Sequence, residues 1–350
     1  MPYRTILVAT DGSESALIAQ RRAIGLARPL WAKVLIVTAF SEPGIPRDAA
    51  EDVLRYAAQD ARRGEVDVHT LLLEGPPGEA LPSAAADGWA DLVVVGSAGM
   101  GKPTRLRMGT VADQVVRAVP CDVLVVRTTG PTPSDPGRGY RTIVAGTDGS
   151  PTATEAARRA FELGEVVNAG VTLTSVGDPL LSAIALEKTV KGHPGGSEPT
   201  TMVREGDPVE EICALAAERG ADLIVVGNQG LAGLKGRLLG SVPGDVAHRA
   251  SCDVLITRTG GHKLEDLTPG RAAVVVVDGR KAAAYVDEAG NAHVLSARCR
   301  HLGCTVGWND ADRTWDCPCH GSRYTFEGVV IQGPATKDLP PLAEDDVSGS

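Results

Sequence analysis

Hydrophobic residues fall in short, uninterrupted runs along most of the chain. In the first part these runs are aliphatic and rich in β-branched residues, and stretches with helical spacing separate them. A run that is apolar without alternation indicates a strand covered on both faces, as in a parallel sheet with helices on either side. The pattern predicts an α/β fold with strands at residues 5–9, 33–39, 66–73, 92–95 and 123–126.

The pattern occurs twice. Residues 3–13 recur as residues 140–150, and residues 90–96 recur as residues 221–227. Copies this far apart indicate two homologous domains, because solenoid repeats are much shorter. Stretches rich in Pro, Gly, Thr and Ser predict linkers at 129–139 and 260–269. We therefore expect two α/β domains, at 1–128 and 140–259, and a third domain at 270–345.

The third domain has a different pattern. Short strands are predicted at residues 272–277, 281–286 and 292–296, and Asp278-Gly279 between the first two is a strong hairpin signal. The aromatic residues Trp308, Trp315, Tyr324 and Phe326 fall here and are predicted to form its core. The predicted fold class is α/β: two open, doubly wound parallel-sheet (Rossmann-like) domains followed by a small antiparallel all-β domain.

Charge, hydropathy and cysteine context limit the classes of function that the chain can have. The formal net charge is −9 and no basic face is evident, which argues against binding to nucleic acid. No apolar run approaches the roughly 20 residues that cross a bilayer, so we expect a cytoplasmic protein with no membrane contact. Cys121, Cys213 and Cys252 lie in apolar contexts and are interpreted as packing residues.

A cluster of Cys and His residues marks the third domain. Cys299 and His301 are followed by Cys317 and His320. Two thiolates and two imidazoles suit either a tetrahedral zinc ion or a [2Fe-2S] cluster with one iron on sulfur and the other on nitrogen. A zinc site needs no additional Cys pair and no hydroxyls after the last His.

Those additional residues are present, and with them the segment resembles the Rieske family. Four positions outside the ligand set carry the accessory matches: Cys304, Cys319, Ser322 and Tyr324. The resemblance implies a [2Fe-2S] cluster on the four ligands, a Cys304–Cys319 disulfide, and hydroxyl hydrogen bonds to sulfurs of the cluster or its ligands. The run Gly333-Pro334-Ala335 resembles the family's proline loop. A disulfide is unusual in the cytosol, so that pairing conflicts with the expected compartment.

Each α/β domain carries a glycine motif after its fourth strand. Gly96-x-x-Gly99 is followed after nine residues by Gly109-Thr110. In the second copy the corresponding residues are Gly227, Gly230, Gly240 and Ser241. Glycines let the backbone approach a polyphosphate, and a hydroxyl residue opening a helix offers free amides. The alternative is that these glycines only form turns.

The spacing is similar to the nucleotide-binding motif of universal stress proteins. That resemblance covers nearly all of both halves and implies ATP, with Mg²⁺ as a potential companion, near Asp11 and Asp148. Four basic residues in the glycine loops are candidates to meet phosphate charge: Lys102, Arg105, Lys235 and Arg237. The family pairs its last strands at a dimer edge. We therefore expect an intramolecular pseudo-dimer of the two halves, with homodimerisation of the chain also open.

The leading hypothesis is an electron-transfer protein attached to ATP-binding stress-protein domains, acting in a stress or redox response with an unidentified redox partner protein. One alternative is a redox-sensing, nucleotide-binding regulatory module. Another is an electron-supplying component of an oxidoreductase system. No substrate-transforming site is evident in the sequence, which favours a carrier over an enzyme.

Overall fold

The computed structural model forms two compact units, which comprise residues 1–81 with 92–259 (the α/β unit) and residues 82–91 with 260–350 (the C-terminal unit). Within them the structure describes residues 2–42, 44–86, 90–98, 108–128, 137, 139–191, 199–229, 240–258, 264, 267–277, 280–309, 312–317 and 320–342.

The first half of the α/β region alternates strands and helices. Its strands are β1 (Thr5–Ala9), β2 (Lys33–Phe40), β3 (Val68–Glu74), β4 (Leu92–Gly96) and β5 (Asp122–Val126). Its helices are α1 (Glu14–Leu30), α2 (Arg47–Ala61), α3 (Pro77–Ala86) and α4 (Thr110–Ala118). All five strands predicted from the sequence are confirmed, with ends that differ by one or two residues.

The second half repeats this order. Its strands are β6 (Thr142–Gly146), β7 (Gly170–Val176), β8 (Thr200–Arg204), β9 (Leu223–Gly227) and β10 (Asp253–Thr257). Its helices are α5 (Pro151–Val167), α6 (Pro179–Lys191), α7 (Pro208–Arg219) and α8 (Ser241–Arg249). Ser13 and Ser150 each accept a hydrogen bond from the backbone amide three residues on, so the same cap opens α1 and α5.

All ten strands belong to one sheet. Their order is β3-β2-β1-β4-β5-β10-β9-β6-β7-β8, and every pair is parallel except the central one. There β5 and β10 pair antiparallel, with Leu124 opposite Leu255. This pairing satisfies the backbone of two fully buried strands that would otherwise form exposed apolar edges. The predicted intramolecular pseudo-dimer is confirmed, and we call the β5–β10 junction the seam.

A buried ion pair from each half crosses the seam. The Asp122 carboxylate of β5 accepts hydrogen bonds from Tyr3 (2.7 Å), from Arg159 of α5 (3.1 Å) and from the backbone amide of Arg258 (2.8 Å). Burial raises the pKa of Asp122, and the Arg159 guanidinium opposes that shift. The second half therefore supplies two of the three donors that stabilise this carboxylate.

The mirror arrangement holds Asp253 of β10. It forms an ion pair with Arg22 of α1 at 2.8 Å, and it accepts hydrogen bonds from Tyr140 (2.9 Å) and from the backbone amide of Arg127 (2.8 Å). Each arginine also lies over a tyrosine ring of the opposite half, 4.8 Å from its centroid. The two halves are thus joined by reciprocal charge pairs as well as by backbone hydrogen bonds.

The C-terminal unit contains two small antiparallel sheets. One has the order β11 (Ala272–Val277), β12 (Arg280–Val286) and β13 (Ala292–Ser296). The other has the order β14 (Gly307–Asn309), β15 (Thr314–Asp316), β16 (Arg323–Thr325) and β17 (Val330–Gln332). The predicted antiparallel β fold is confirmed. Trp308, Trp315 and Tyr324 are buried in its core and Phe326 packs against them, as the sequence indicates.

Among the residues that the structure describes, no helix is both long enough and apolar enough to cross a membrane.

Candidate functional site

Two turns of the same construction carry the Cys and His residues of the C-terminal unit. In the first, the Cys299 amide donates to the Cys304 carbonyl (2.7 Å), and the Gly303 amide donates back to the Cys299 carbonyl (2.9 Å). In the second, the Cys317 amide donates to the Ser322 carbonyl (2.7 Å), and the Gly321 amide donates to the Cys317 carbonyl (3.0 Å). Each turn therefore holds its cysteine at a fixed point beside the core.

The glycines explain why these turns close. Gly303 has φ 74° and Gly321 has φ 72°, a left-handed conformation that favours glycine over residues with a Cβ. Gly303 directly precedes Cys304, and Gly321 directly precedes Ser322; these are the residues whose carbonyls accept the cysteine amides. The sequence spacing of Cys, His and Gly is thus a direct consequence of the turn geometry.

The two thiols lie together and are almost inaccessible. Cys299 and Cys317 are each 2% exposed. Hydrogen bonds from Cys317 and Tyr324, from the His301 amide and from Ser322 outweigh burial, and they lower the pKa of Cys299 to about 5. The site therefore favours a thiolate, which is the form that binds metal.

Each of the two hydroxyls beside Cys299 accepts a hydrogen bond from a backbone amide. Tyr324 Oη lies 3.2 Å from Cys299 Sγ and accepts the Arg300 amide at 3.2 Å. Ser322 Oγ accepts the Ala335 amide at 3.0 Å. Because the Cys299 thiolate has no proton to donate, the Tyr324 and Ser322 hydroxyls donate their protons to the sulfur. The bond from Ala335 also joins the predicted proline loop to the second turn.

The imidazoles form a second pair on the surface. The rings of His301 and His320 are perpendicular, with centroids 4.9 Å apart, and both residues are exposed. Leu302 between the cysteines of the first turn is 58% exposed. The sulfur donors of the site are therefore buried, and its nitrogen donors are exposed at the surface.

This donor set fits a two-iron cluster. A cluster with one iron on sulfur and one on nitrogen needs the thiols in one pair and the imidazoles in another, whereas a zinc ion needs all four donors around one point. The structure shows the two pairs. Across the described part of the chain, no three His, Cys, Asp or Glu side chains form a group that could hold a single metal ion.

The predicted Cys304–Cys319 disulfide stays a prediction. Cys304 is buried, at 3% exposure, in the same core as the ligand cysteines. Cys319 and the adjacent Pro318 lie outside the described residues.

In the first half, the described nucleotide-motif residues meet where the strand order reverses. Asp11 follows β1 and Gly96 ends β4, and these strands are neighbours although helices follow both. Gly109 is the N-cap of α4, directly before Thr110, and its amide donates to the Ser97 carbonyl at 2.8 Å. Ligands of open α/β sheets bind at this kind of crevice.

The second half repeats the arrangement. Asp148 follows β6, Gly227 ends β9, and Gly240 is the N-cap of α8 directly before Ser241. Asp11 and Asp148 each accept the amide two residues on at 3.0 Å, which fixes the turn into α1 and α5. Gly109 and Gly240 make no side-chain cap bond, so the first amides of α4 and α8 have no capping side chain, as at helix N-termini that bind anions.

One difference separates the two crevices. Lys188 of α6 donates to the Gly149 carbonyl at 2.7 Å, and Thr147 and Thr189 hydroxyls lie 2.9 Å apart. Val53 of α2 lies beside Gly12 in the first half, and Ala185 of α6 lies in the matching place beside Gly149. Both crevices therefore have an aliphatic side chain there, and the second has the Lys188 and Thr189 contacts in addition.

The remaining motif residues lie outside the described part of the chain. They are Gly99, Lys102, Arg105, Gly230, Lys235 and Arg237.

Sequence reasoning missed the residues that connect these crevices across the seam. No ligand spacing surrounds His248 in the sequence, yet its Nδ1 accepts the Met108 amide at 3.2 Å. Arg127 and Arg258 follow the last strand of each half and donate to carbonyls of α8 and α4, respectively. The one available signal is the position of each arginine directly after a duplicated strand.

The fold and the two sites define a tandem α/β protein of the stress-protein class that carries an iron-sulfur domain. The universal stress protein family model matches residues 2–127, 139–191 and 180–258, and the Rieske [2Fe-2S] domain model matches residues 262–343. The chain belongs to the universal stress protein family and carries a Rieske [2Fe-2S] domain, which confirms both resemblances drawn from the sequence.

Relatives match the two parts separately. YhfW of Bacillus subtilis (strain 168), assigned as a Rieske 2Fe-2S iron-sulfur protein, is 48% identical over 83 residues, which are 24% of this chain and 16% of YhfW. A protein of Staphylococcus aureus (strain USA300), assigned as a universal stress protein, is 36% identical over 143 residues, covering 36% of this chain and 85% of its own. The chain thus spans only a small part of YhfW's length.

Solved structures support the fold of the α/β unit. A universal stress protein from Archaeoglobus fulgidus DSM 4304 superposes with a TM-score of 0.58 at 17% identity, covering 73% of this chain and 98% of its own. One from Pseudomonas aeruginosa UCBPP-PA14 gives 0.57 at 19% identity, with 73% and 93% covered.

Proposed function

We propose that the protein is a one-electron carrier whose Rieske cluster is held by Cys299, Cys317, His301 and His320. The observation that carries this proposal is the separation of the donors into a buried thiol pair and an exposed imidazole pair. When bound, the cluster supplies one-electron transfer. The protein's residues supply the turns that hold the donors and the hydroxyl protons that face the sulfur.

The exposed side of the site is the proposed docking point for the redox partner protein. His301 and His320 reach the surface, and Leu302 beside them offers an apolar contact. The thiols lie on the core side. Electron exchange is therefore proposed to pass through the imidazole side, where the partner approaches most closely.

Anaerobic purification followed by iron, sulfide and zinc analysis tests the cluster. We expect two iron and two sulfide per chain, and an electron paramagnetic resonance spectrum of the dithionite-reduced protein with the low average g of mixed His and Cys ligation. His301→Ala and Cys317→Ser remove ligands and should abolish this spectrum, whereas Cys213→Ser, on α7 of the α/β unit, should leave it unchanged. Stoichiometric zinc without sulfide would overturn the proposal.

We also propose that each α/β half binds ATP with Mg²⁺. The support is the repeated meeting of an Asp, a strand-end Gly and a Gly-opened helix at the reversal of strand order. Calorimetric titration with Mg-ATP should show binding that loses one site in Asp11→Ala and one in Asp148→Ala. Absence of binding to the intact protein would overturn this proposal and leave the cluster proposal untouched.

A further inference from the structure

Helix α4, which opens at the first nucleotide crevice, is held at both ends by residues of the second half. Before its N-terminus, the Met108 amide donates to Nδ1 of His248, which lies on α8. Near its C-terminus, the Val116 carbonyl accepts a hydrogen bond from the Arg258 guanidinium, which follows β10. Both contacts cross the seam.

The N-terminal contact fixes the state of the histidine. Because Nδ1 accepts a backbone amide, the ring proton is on Nε2, which lies 3.4 Å from Asp113 Oδ1 on α4. Asp113 is in turn held by Arg117 through two bonds of 2.9 and 3.0 Å. His248 therefore contacts Met108, directly before the N-cap of α4, and Asp113 in the first turn of that helix.

The Arg258 contact has an equivalent in the reverse direction, since Arg127 donates to the Ala247 carbonyl of α8, but the Asp113–His248 contact has none. The offset that relates Gly109 to Gly240 places Gly244 opposite Asp113 and Arg117 opposite His248. Gly244 has no side chain, so the second half cannot form a matching Asp–His pair. The contact is therefore specific to the first crevice.

We propose that His248 is a positioning residue for the nucleotide site of the first half, so that this site is completed by a side chain from the second half. The inference rests on the proposed ATP binding. Met108 directly precedes Gly109, the N-cap of α4, and the backbone amides that begin the helix at Thr110 are the proposed donors to phosphate. A hydrogen bond on the Met108 amide sets the direction in which the chain enters α4, and with it the direction of those amides.

The size of the effect follows from the contact. One hydrogen bond to a backbone amide is lost in His248→Ala, which predicts about fivefold weaker binding at the first site. In His248→Asn, the side-chain Oδ1 can take the place of Nδ1 and accept the same amide. This variant is therefore expected to retain affinity within about twofold.

The experiment measures Mg-ATP affinity by calorimetry in two backgrounds of the full chain. Asp148→Ala leaves only the first site, and Asp11→Ala leaves only the second. His248→Ala is expected to weaken binding about fivefold in the first background and less than twofold in the second. Arg249→Ala is the matched control, since Arg249 is the next residue of α8 and pairs with Glu210 of the second half.

The outcomes separate the two proposals. If neither background binds Mg-ATP, the proposed nucleotide function fails. If both bind it and His248→Ala changes neither affinity, or both equally, the positioning role fails while nucleotide binding stands. Failure of His248→Asn to restore affinity that is lost in His248→Ala would also overturn the role assigned to Nδ1.

Discussion

The Tyr324 hydroxyl accepts one hydrogen bond and donates another. The Arg300 amide donates to its oxygen, and the Cys299 thiolate, which has no proton of its own, accepts the hydroxyl proton. Ser322 is arranged in the same way, with Ala335 as its donor. Two hydroxyl protons thus stabilise negative charge on one sulfur.

We expect Tyr324→Phe and Ser322→Ala each to lower the reduction potential, because the reduced cluster carries the additional negative charge that these bonds stabilise. A hydrogen bond of roughly 1 to 2 kcal/mol corresponds to a decrease of roughly 40 to 90 mV for one electron. Protein-film voltammetry measures the potential. Thr325→Val, next to Tyr324 on β16, is the control and should not shift it. An unchanged potential in both hydroxyl variants would contradict the assignment.

At the scale of elements, Gly96 and Gly227 are the same motif position in two environments. A Cβ on Gly227 would lie 2.7 Å from the Thr152 carbonyl group in the first turn of α5. On Gly96 the nearest atoms are backbone oxygens at 3.2 Å. The second half is therefore packed more tightly between its fourth strand and its first helix.

Gly227→Ala should destabilise the protein by about 2 kcal/mol, and Gly96→Ala by less than about 1 kcal/mol, because backbone cannot move aside as a flexible side chain can. Thermal unfolding of the two variants beside the wild type measures the difference. Equal losses would show that the helix adjusts at no greater cost in the second half.

Element-level features explain what the sequence could and could not predict. Strands such as β1 and β9 are uninterrupted apolar runs, so their positions and parallel pairing follow from the pattern. The turns around Cys299 and Cys317 follow from the spacing of Cys, His and Gly. Contacts across the seam do not, because Arg22 and Arg159 lie on helices where a charged residue ordinarily indicates solvent.

The sequence Cys-Asp-Val-Leu occurs at 121–124 and again at 252–255, and its aspartate is a signal of these contacts. An aspartate at the start of a fully buried strand requires a cationic or hydrogen-bonding partner. Nothing local in the sequence identifies Arg159 as the partner of Asp122, since the two belong to different halves.

At the scale of the whole molecule, the seam depends on the buried charge pairs. Arg159→Met leaves Asp122 buried without its cation, which should cost about 3 to 5 kcal/mol. Arg158→Ala is the matched control: Arg158 bonds only to Glu155 and Glu162 of its own helix in the described contacts, and its loss should be less than about 1 kcal/mol. Urea unfolding measures both.

The pH dependence of that loss gives a second check. Burial already raises the pKa of Asp122, and removing Arg159 raises it further. A carboxyl with a folded-state pKa above its unfolded value destabilises the fold increasingly as pH rises between the two. The deficit of Arg159→Met relative to wild type should therefore be larger at pH 8 than at pH 5. A deficit that grows towards low pH would contradict this account.

The antiparallel pairing of β5 with β10 also sets a stoichiometry. Two separate chains that paired through this edge, each with its own Rieske domain, would bring two clusters to every two nucleotide crevices. Here one chain supplies both crevices and the Rieske domain of residues 262–343. Within these matched residues, the ratio of one Rieske domain to two crevices is fixed by the covalent chain and does not depend on protein concentration.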